Sequence, residues 1–205
     1  MFRAKKGIEL SMTVIVLLII SIIIFIGGIT LLWKVFGGAE TIKQGLDQQT
    51  QTQIQSLLRE GNDIVAIPIN TLQVVPGKPA LFGLGIRNIK PQPKTFSVLL
   101  GSAGVYDRQG KPIASSKEYL EENWLGNFKT IGNINLAHNQ DVTIPLHVRT
   151  TPYIDSYDNR PPKGSLVVFN VCVLEDTELP PPEAVCDAKN PAAYGGVHQI
   201  FVEIK

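Results

Sequence analysis

The sequence predicts an N-terminal transmembrane α-helix with a helical stalk, followed by an all-β antiparallel sandwich. Three observations carry this reading. No residue from Leu10 to Trp33 is charged. A Gln-rich segment with helical spacing comes next. Beyond Asn62 the texture changes to short β-branched and aromatic runs, and all 14 prolines lie at or after Pro68. The 205 residues suit one domain of about 150 residues plus an appendage, at roughly 100–200 residues per domain. The segments read as a cytoplasmic leader (1–7), a transmembrane helix (8–36), a Gln-rich helical stalk (37–61) and an extracytoplasmic β-sandwich (62–205).

The charge is divided in the same way. Residues 1–36 hold Arg3, Lys5, Lys6 and Lys34 against Glu9, a net of +3. The remainder holds 15 basic and 17 acidic residues, a net of −2. The overall net charge of +1 offers no electrostatic footprint for nucleic acid.

The core of the apolar run reads Val14 to Ile20, then Ile22 to Ile26, with only Ser11, Thr13, Ser21 and Thr30 as polar interruptions. As a helix, Leu10–Trp33 rises roughly 36 Å, enough to cross a hydrocarbon layer of about 30 Å. A helix buried in a soluble domain carries a polar stripe, and this one does not. Trp33 stands where an interfacial aromatic belongs, and Arg3, Lys5 and Lys6 precede the span while only Lys34 follows it closely. The positive-inside rule then places the N-terminus in the cytoplasm and the body outside the cell membrane. A cleavable secretory signal with a cut after Ala39 is the competing reading, but its apolar region is about 7–15 residues, much shorter than this one.

Lys5-Lys6-Gly7-Ile8-Glu9-Leu10-Ser11 sets a basic pair and a glycine directly before the apolar run. Basic residues hold such a site at the headgroups, and glycine gives the backbone an unhindered path into a protease. This layout resembles the class III signal peptide of archaeal type IV pilins and archaellin-like proteins. The resemblance covers about 30 residues. It implies a cut by a prepilin-type peptidase between Gly7 and Ile8, retention of the apolar helix, and self-association or docking with a pilus-type assembly machinery. The sequence departs from many type IV pilins at the fifth mature position, which is Met12 rather than Glu; the only nearby acid is Glu9. A plain positive-inside flank on an uncleaved anchor is the alternative.

Gly27-Gly28 lies within the span and Gly37-Gly38 just past it, and each glycine costs a helix roughly 1 kcal/mol relative to Ala. In residues 40–60, Ile42, Leu46, Ile54, Leu57 and Leu58 fall near one helical face among six glutamines, Gln44 to Gln55. The face is too sparse for sustained heptads. It reads as an amphipathic stalk packing on the domain or on copies of itself, or else as a solvated spacer. Gly61-Asn62 ends it.

Strands are expected at Ile64–Ile67, Thr71–Val75, Leu81–Ile86, Thr95–Leu100 with Val105-Tyr106 continuing it or starting the next, Ile131–Leu136, Val142–Val148, Leu166–Leu174 and Val197–Ile204. Pro145 marks its strand as an edge or a bulge. Leu166–Leu174 is nearly all apolar and reads as central. Residues 117–125 read as one short helix or insertion, with Tyr119, Leu120, Trp124 and Leu125 as its apolar side. No long helices alternate with the strands, which argues against a parallel α/β sheet. A strand ending in Arg87-Asn88, a late Asp141-Val142-Thr143-Ile144-Pro145 strand and a final hairpin resemble the immunoglobulin-like domains of archaeal surface proteins.

Cys172 and Cys186 both fall in the segment placed outside the cytoplasm, where disulfides persist. A bridge between them closes a 15-residue loop; two unrelated thiols are the alternative. His138, His147 and His198 are scattered, and no HExxH, GxSxG or phosphate loop occurs. No catalytic residue, cofactor or metal site is therefore expected, and the chain does not read as an enzyme. Asp155, Asp158 and Asn159 share a loop but lack calcium-loop spacing and read as solvated turn residues. The resulting expectation is a pilin-like structural subunit or pilus-associated component. Its alternative is a single-pass, signal-anchored protein whose sandwich binds a wall or surface partner.

Overall fold

The computed structural model describes residues 16–25, 48–176, 186–187 and 193–205. The chain forms two compact units, Met1–Gln44 and Gly45–Lys205. In the first, residues 16–25 are helical (α1).

The second unit opens with helix α2 (Gln48–Arg59). Its C-terminus is held in two ways. Arg87 Nη1 donates to the Leu58 carbonyl (2.8 Å), and Asn62 takes a left-handed φ of 60° that turns the chain out of the helix. Strands follow: β1 (Val65–Ala66), β2 (Thr71–Val74), β3 (Ala80–Arg87), β4 (Lys94–Tyr106), β5 (Pro112–Ile113), β6 (Thr130–Leu136), β7 (Asp141–Val148), β8 (Leu166–Glu175) and β9 (Ala193–Ile204). Between β5 and β6, Ser116 caps a short helix α3 (Lys117–Leu120), which runs through one π turn into a 3-10 turn ending at Lys129.

The strands make two sheets, one in the order β1-β3-β7 and one in the order β2-β9-β8-β4-β5, with β6 also pairing β4. Alternation decides which side chains meet between them. Phe82, Leu84 and Ile86 of β3 and Ile144, Leu146 and Val148 of β7 face Phe96, Val98 and Leu100 of β4, Phe169, Val171 and Val173 of β8, and Ile200 and Val202 of β9. Trp124 enters the same core fully buried and donates from Nε1 to the Tyr153 carbonyl (3.0 Å).

Three expectations are refined. The pairing is mostly antiparallel, but β2 runs parallel to β9, from Thr71 opposite Phe201 to Val74 opposite Ile204. The reason is that the chain leaves β1 in one sheet and crosses directly into the other without reversing. Val105-Tyr106 continues β4 rather than starting a strand, and the two-residue β5 pairs there. In the described part of the expected stalk, α2 lies on the outer face of the smaller sheet. Ile54 and Leu58 are fully buried there and cluster with Ala66, Leu57 and Leu81. Burying two such side chains stabilises by about 1.5–3 kcal/mol each, which accounts for why a Gln-rich helix of low intrinsic cohesion stays docked. Residues 37–47 of the expected stalk lie outside the described residues.

β7 is the outer strand of its sheet, where Pro145 costs no ladder bond on the open side. β8 lies between β4 and β9, as its nearly continuous apolar run requires.

Candidate functional site

Lys5, Lys6, Gly7 and Ile8, the expected processing site, lie outside the described residues, as do the ends of the Leu10–Trp33 run. What is described of that run, α1, leaves its side chains uncovered. Exposure of the large apolar residues ranges from 46% at Ile20 to 69% at Ile24 and Phe25. Among the described residues no helix is long and apolar enough to cross a membrane.

Cys172 and Cys186 are joined by a disulfide, with their Cα atoms 5.7 Å apart. Cys172 belongs to the outward set of β8, opposite the core residues Val171 and Val173. The bridge therefore clips Cys186 onto the outer face of the larger sheet. Leu99, Ala193 and Val197 pack around it. The buried Asn170 side chain donates to the Cys186 carbonyl (3.2 Å) and accepts from Gln199 Nε2 (3.0 Å). Gly101 lets this segment lie flat, since a Cβ there would stand 2.6 Å from the Cys186 carbonyl oxygen.

The Asp155 loop is organised by its own carboxylate. Oδ1 accepts from the backbone N–H groups of Tyr157 (2.9 Å) and Asn159 (3.1 Å), and Oδ2 accepts from the Asn159 side chain. Burial works to raise the Asp155 pKa, and the hydrogen bonds from Asn159 and Tyr157 outweigh it, leaving the carboxyl below its ordinary value. The carboxylate is thus occupied in shaping a turn. Among the described residues no group of three His, Cys, Asp or Glu is placed to hold a metal ion.

The three histidines are not brought together. His138 sits in an exposed turn, with Nδ1 2.7 Å from the Lys90 carbonyl. His147 packs on Phe128, ring centroids 4.7 Å apart. His198 lies half-buried at the seam between the two sheets. Burial lowers the pKa of both His147 and His198; a hydrogen bond to the Gly195 backbone and the charge of Asp63 work the other way at His198.

That seam is the feature the sequence reading missed. A groove of about 550 Å³ is lined by Ile67 and Asn70 from the β1–β2 crossover and by Val197, His198, Gln199 and Phe201 of β9. The Phe201 N–H donates to the Asn70 carbonyl (2.7 Å) and closes one end. The only sequence signal was two stretches without a charged side chain, Ile64 to Gly77 and Ala193 to Val202.

No family model matches the chain, and no curated protein matches it. Solved structures show distant likeness. An α-2-macroglobulin from Salmonella is 14% identical over 69% of this chain, which spans 7% of that protein, with a TM-score of 0.36. The PapD-like domain 7 of human CEP192 is 10% identical over 70% of this chain and 84% of its own length, at 0.33. The class 5 fimbriae chaperone CfaA is 10% identical over 67% of this chain and 54% of its own, at 0.32.

Proposed function

We propose that this chain is a pilin-like structural subunit or pilus-associated component, held by its N-terminal apolar helix and exposing an immunoglobulin-like β-sandwich outside the cell membrane. The single observation that carries the reading is the bare surface of α1. Val16 to Ile20 and Ile22 to Phe25 are all large apolar residues at least 46% exposed. An apolar surface costs about 25 cal/mol per Å² in water. A helix apolar all round therefore needs lipid or other apolar helices about it. The basic cluster Arg3, Lys5, Lys6 supports an inward N-terminus, and the Cys172–Cys186 bridge fits an oxidising side for the body. Lys5-Lys6-Gly7 ahead of the run supports processing by a prepilin-type peptidase. No hydrolase or cofactor motif competes with a structural role.

Cross-linking through the helix tests this. Single cysteines replacing Ile19, Ile22, Ile23 and Phe25 in the full chain should trap multimers in intact cells, and protease added outside the membrane should digest the body. Exclusively monomeric products would favour the simple anchor with a surface-binding sandwich. A protected body would reverse the topology and sink both.

A further inference from the structure

We propose that the seam beside β9 docks a short extended segment of a partner protein, uncharged along its paired residues, which adds its backbone to Val197 and Gln199. The proposal concerns the sandwich alone and does not depend on what α1 does.

Hydrogen-bond direction alternates along β9. Phe201 and Lys205 donate toward β2, to the carbonyls of Asn70 (2.7 Å) and Val74 (3.0 Å), while Ile204 donates toward β8, to Ser165 (3.0 Å). Gln199 and Val197 share the parity of Phe201, so their N–H and C=O groups point away from β8. On that side the β2 ladder begins only at Thr71 opposite Phe201, and among the described residues no strand continues it. Among the described residues the outward groups of Val197 and Gln199 therefore form a template open to another backbone.

Of the other edges, β7 carries Pro145, β2 is only four residues long, and β6, itself free of proline and charge, is broken by a bulge opposite Phe96–Val98. β9 has neither proline nor charge from Ala193 to Val202. Opposite it, Ile67 supplies apolar surface, and Ile69, two residues on in the crossover, is 41% exposed. No charged side chain lines the groove, and Asp63, whose charge reaches His198, is exposed and screened by solvent, so a charged side chain held there would be desolvated without a close partner.

The window also selects its occupant. Gly195 and Gly196, at φ 75° and 85°, twist the strand at one end, and Asn70-Thr71 blocks the other. Between them Val197–Ile200 spans about 13 Å, at roughly 3.3 Å per residue. A segment that turns away at both ends fits this gap. A second copy's β9 continues past both ends and meets the obstructions.

Amide hydrogen exchange of the full chain in detergent micelles tests the proposal, with the blocked peptide Ac-Thr-Val-Thr-Val-Thr-NH2 as probe. Without peptide, Val197 and Gln199 should exchange much faster than His198 and Ile200. With the site nine-tenths occupied, both should slow about tenfold. The same peptide N-methylated throughout should have no effect, and one with lysine in place of threonine should need at least about ten times the concentration. Gln199→Pro, which removes the outward N–H together with the side-chain bond to Asn170, should weaken the response, while Gln199→Ala, which loses only that side-chain bond, should keep it; if the proline variant does not fold, the methylated peptide carries the same comparison. Protection of Val197 and Gln199 without peptide, no slowing at millimolar peptide, or equal slowing by the methylated or lysine peptide would overturn the proposal. Protection that grows with protein concentration alone would assign the edge to a second copy and overturn it as stated.

Discussion

Gly85 is the seat of Ile54: a methyl group added to the glycine would overlap Ile54 Cγ2 and stand 2.8 Å from Leu58 Cδ1. The missing side chain on β3 is what allows α2 to approach the sheet closely enough to bury Ile54 and Leu58 completely. Gly85→Val should therefore lower stability by about 1–3 kcal/mol through overpacking. Ile54→Ala should cost about 2–5 kcal/mol through the cavity it leaves. Because the two sites share one contact, Gly85→Ala combined with Ile54→Ala should cost less than the sum of the single changes. Urea unfolding of the four variants and the parent measures this, and strict additivity would show that the helix does not seat there.

The Cys172–Cys186 bridge should contribute about 3 kcal/mol in the chain-entropy description of a 15-residue loop. Replacing both cysteines by alanine should lower the melting temperature by roughly 6–12 °C for a body of this size. Non-reducing peptide mapping of protein purified from membranes should find the two peptides linked. Alkylatable thiols at both positions would contradict the bridge and weaken the case for an exported body.

Processing is read by intact mass. Co-expressed with a prepilin peptidase, the chain should lose seven residues and begin at Ile8, and Gly7→Val should block the cut. Retention of Met1, alongside a control pilin that is cut in the same cells, would refute processing and leave the uncleaved anchor.

Mild acid should weaken the fold through two of its histidines. Burial penalises the charged forms of His147 and His198, so both bind a proton less readily in the native chain than in the unfolded one. The unfolded state then holds more protons around pH 6. Stability is full above the unfolded histidine value, about 6.5, and falls as pH drops toward the lower native values. The urea midpoint should be lower at pH 5 than at pH 7.5, and the difference should shrink in a His147→Gln, His198→Gln variant. Midpoints that do not change with pH would show that neither site is closed to the proton.

Most strands were legible because a strand's faces are written locally. The alternation in Val142–Val148, the unbroken apolar run of Leu166–Leu174 and the turn at Pro76-Gly77 each state their element without reference to the rest of the chain. Pro145 narrowed its own strand to an edge or a bulge, and β7 is an edge. The amphipathic pattern of Ile54, Leu57 and Leu58 likewise announced a helix with one apolar face, and Gly61-Asn62 announced its end.

Partners were not legible, because pairing is a property of two distant segments and a period carries no address. Nothing local makes β2 parallel to β9; that follows from the chain crossing between sheets after Ala66. Nothing in Ile54 names Gly85 as its seat, since the glycine's meaning lies in the atom it lacks. β5 is too short to have a pattern at all. The seam beside β9 exists because β2 begins opposite Phe201 and no earlier, a register that side-chain packing across two sheets decides. The sequence by itself determined which residues are apolar, where the chain turns, and that its N-terminal run needs covering. Only tertiary packing decided which apolar faces cover one another and that the edge of β9 ahead of Phe201 borders a groove, because those depend on contacts between residues far apart in the chain.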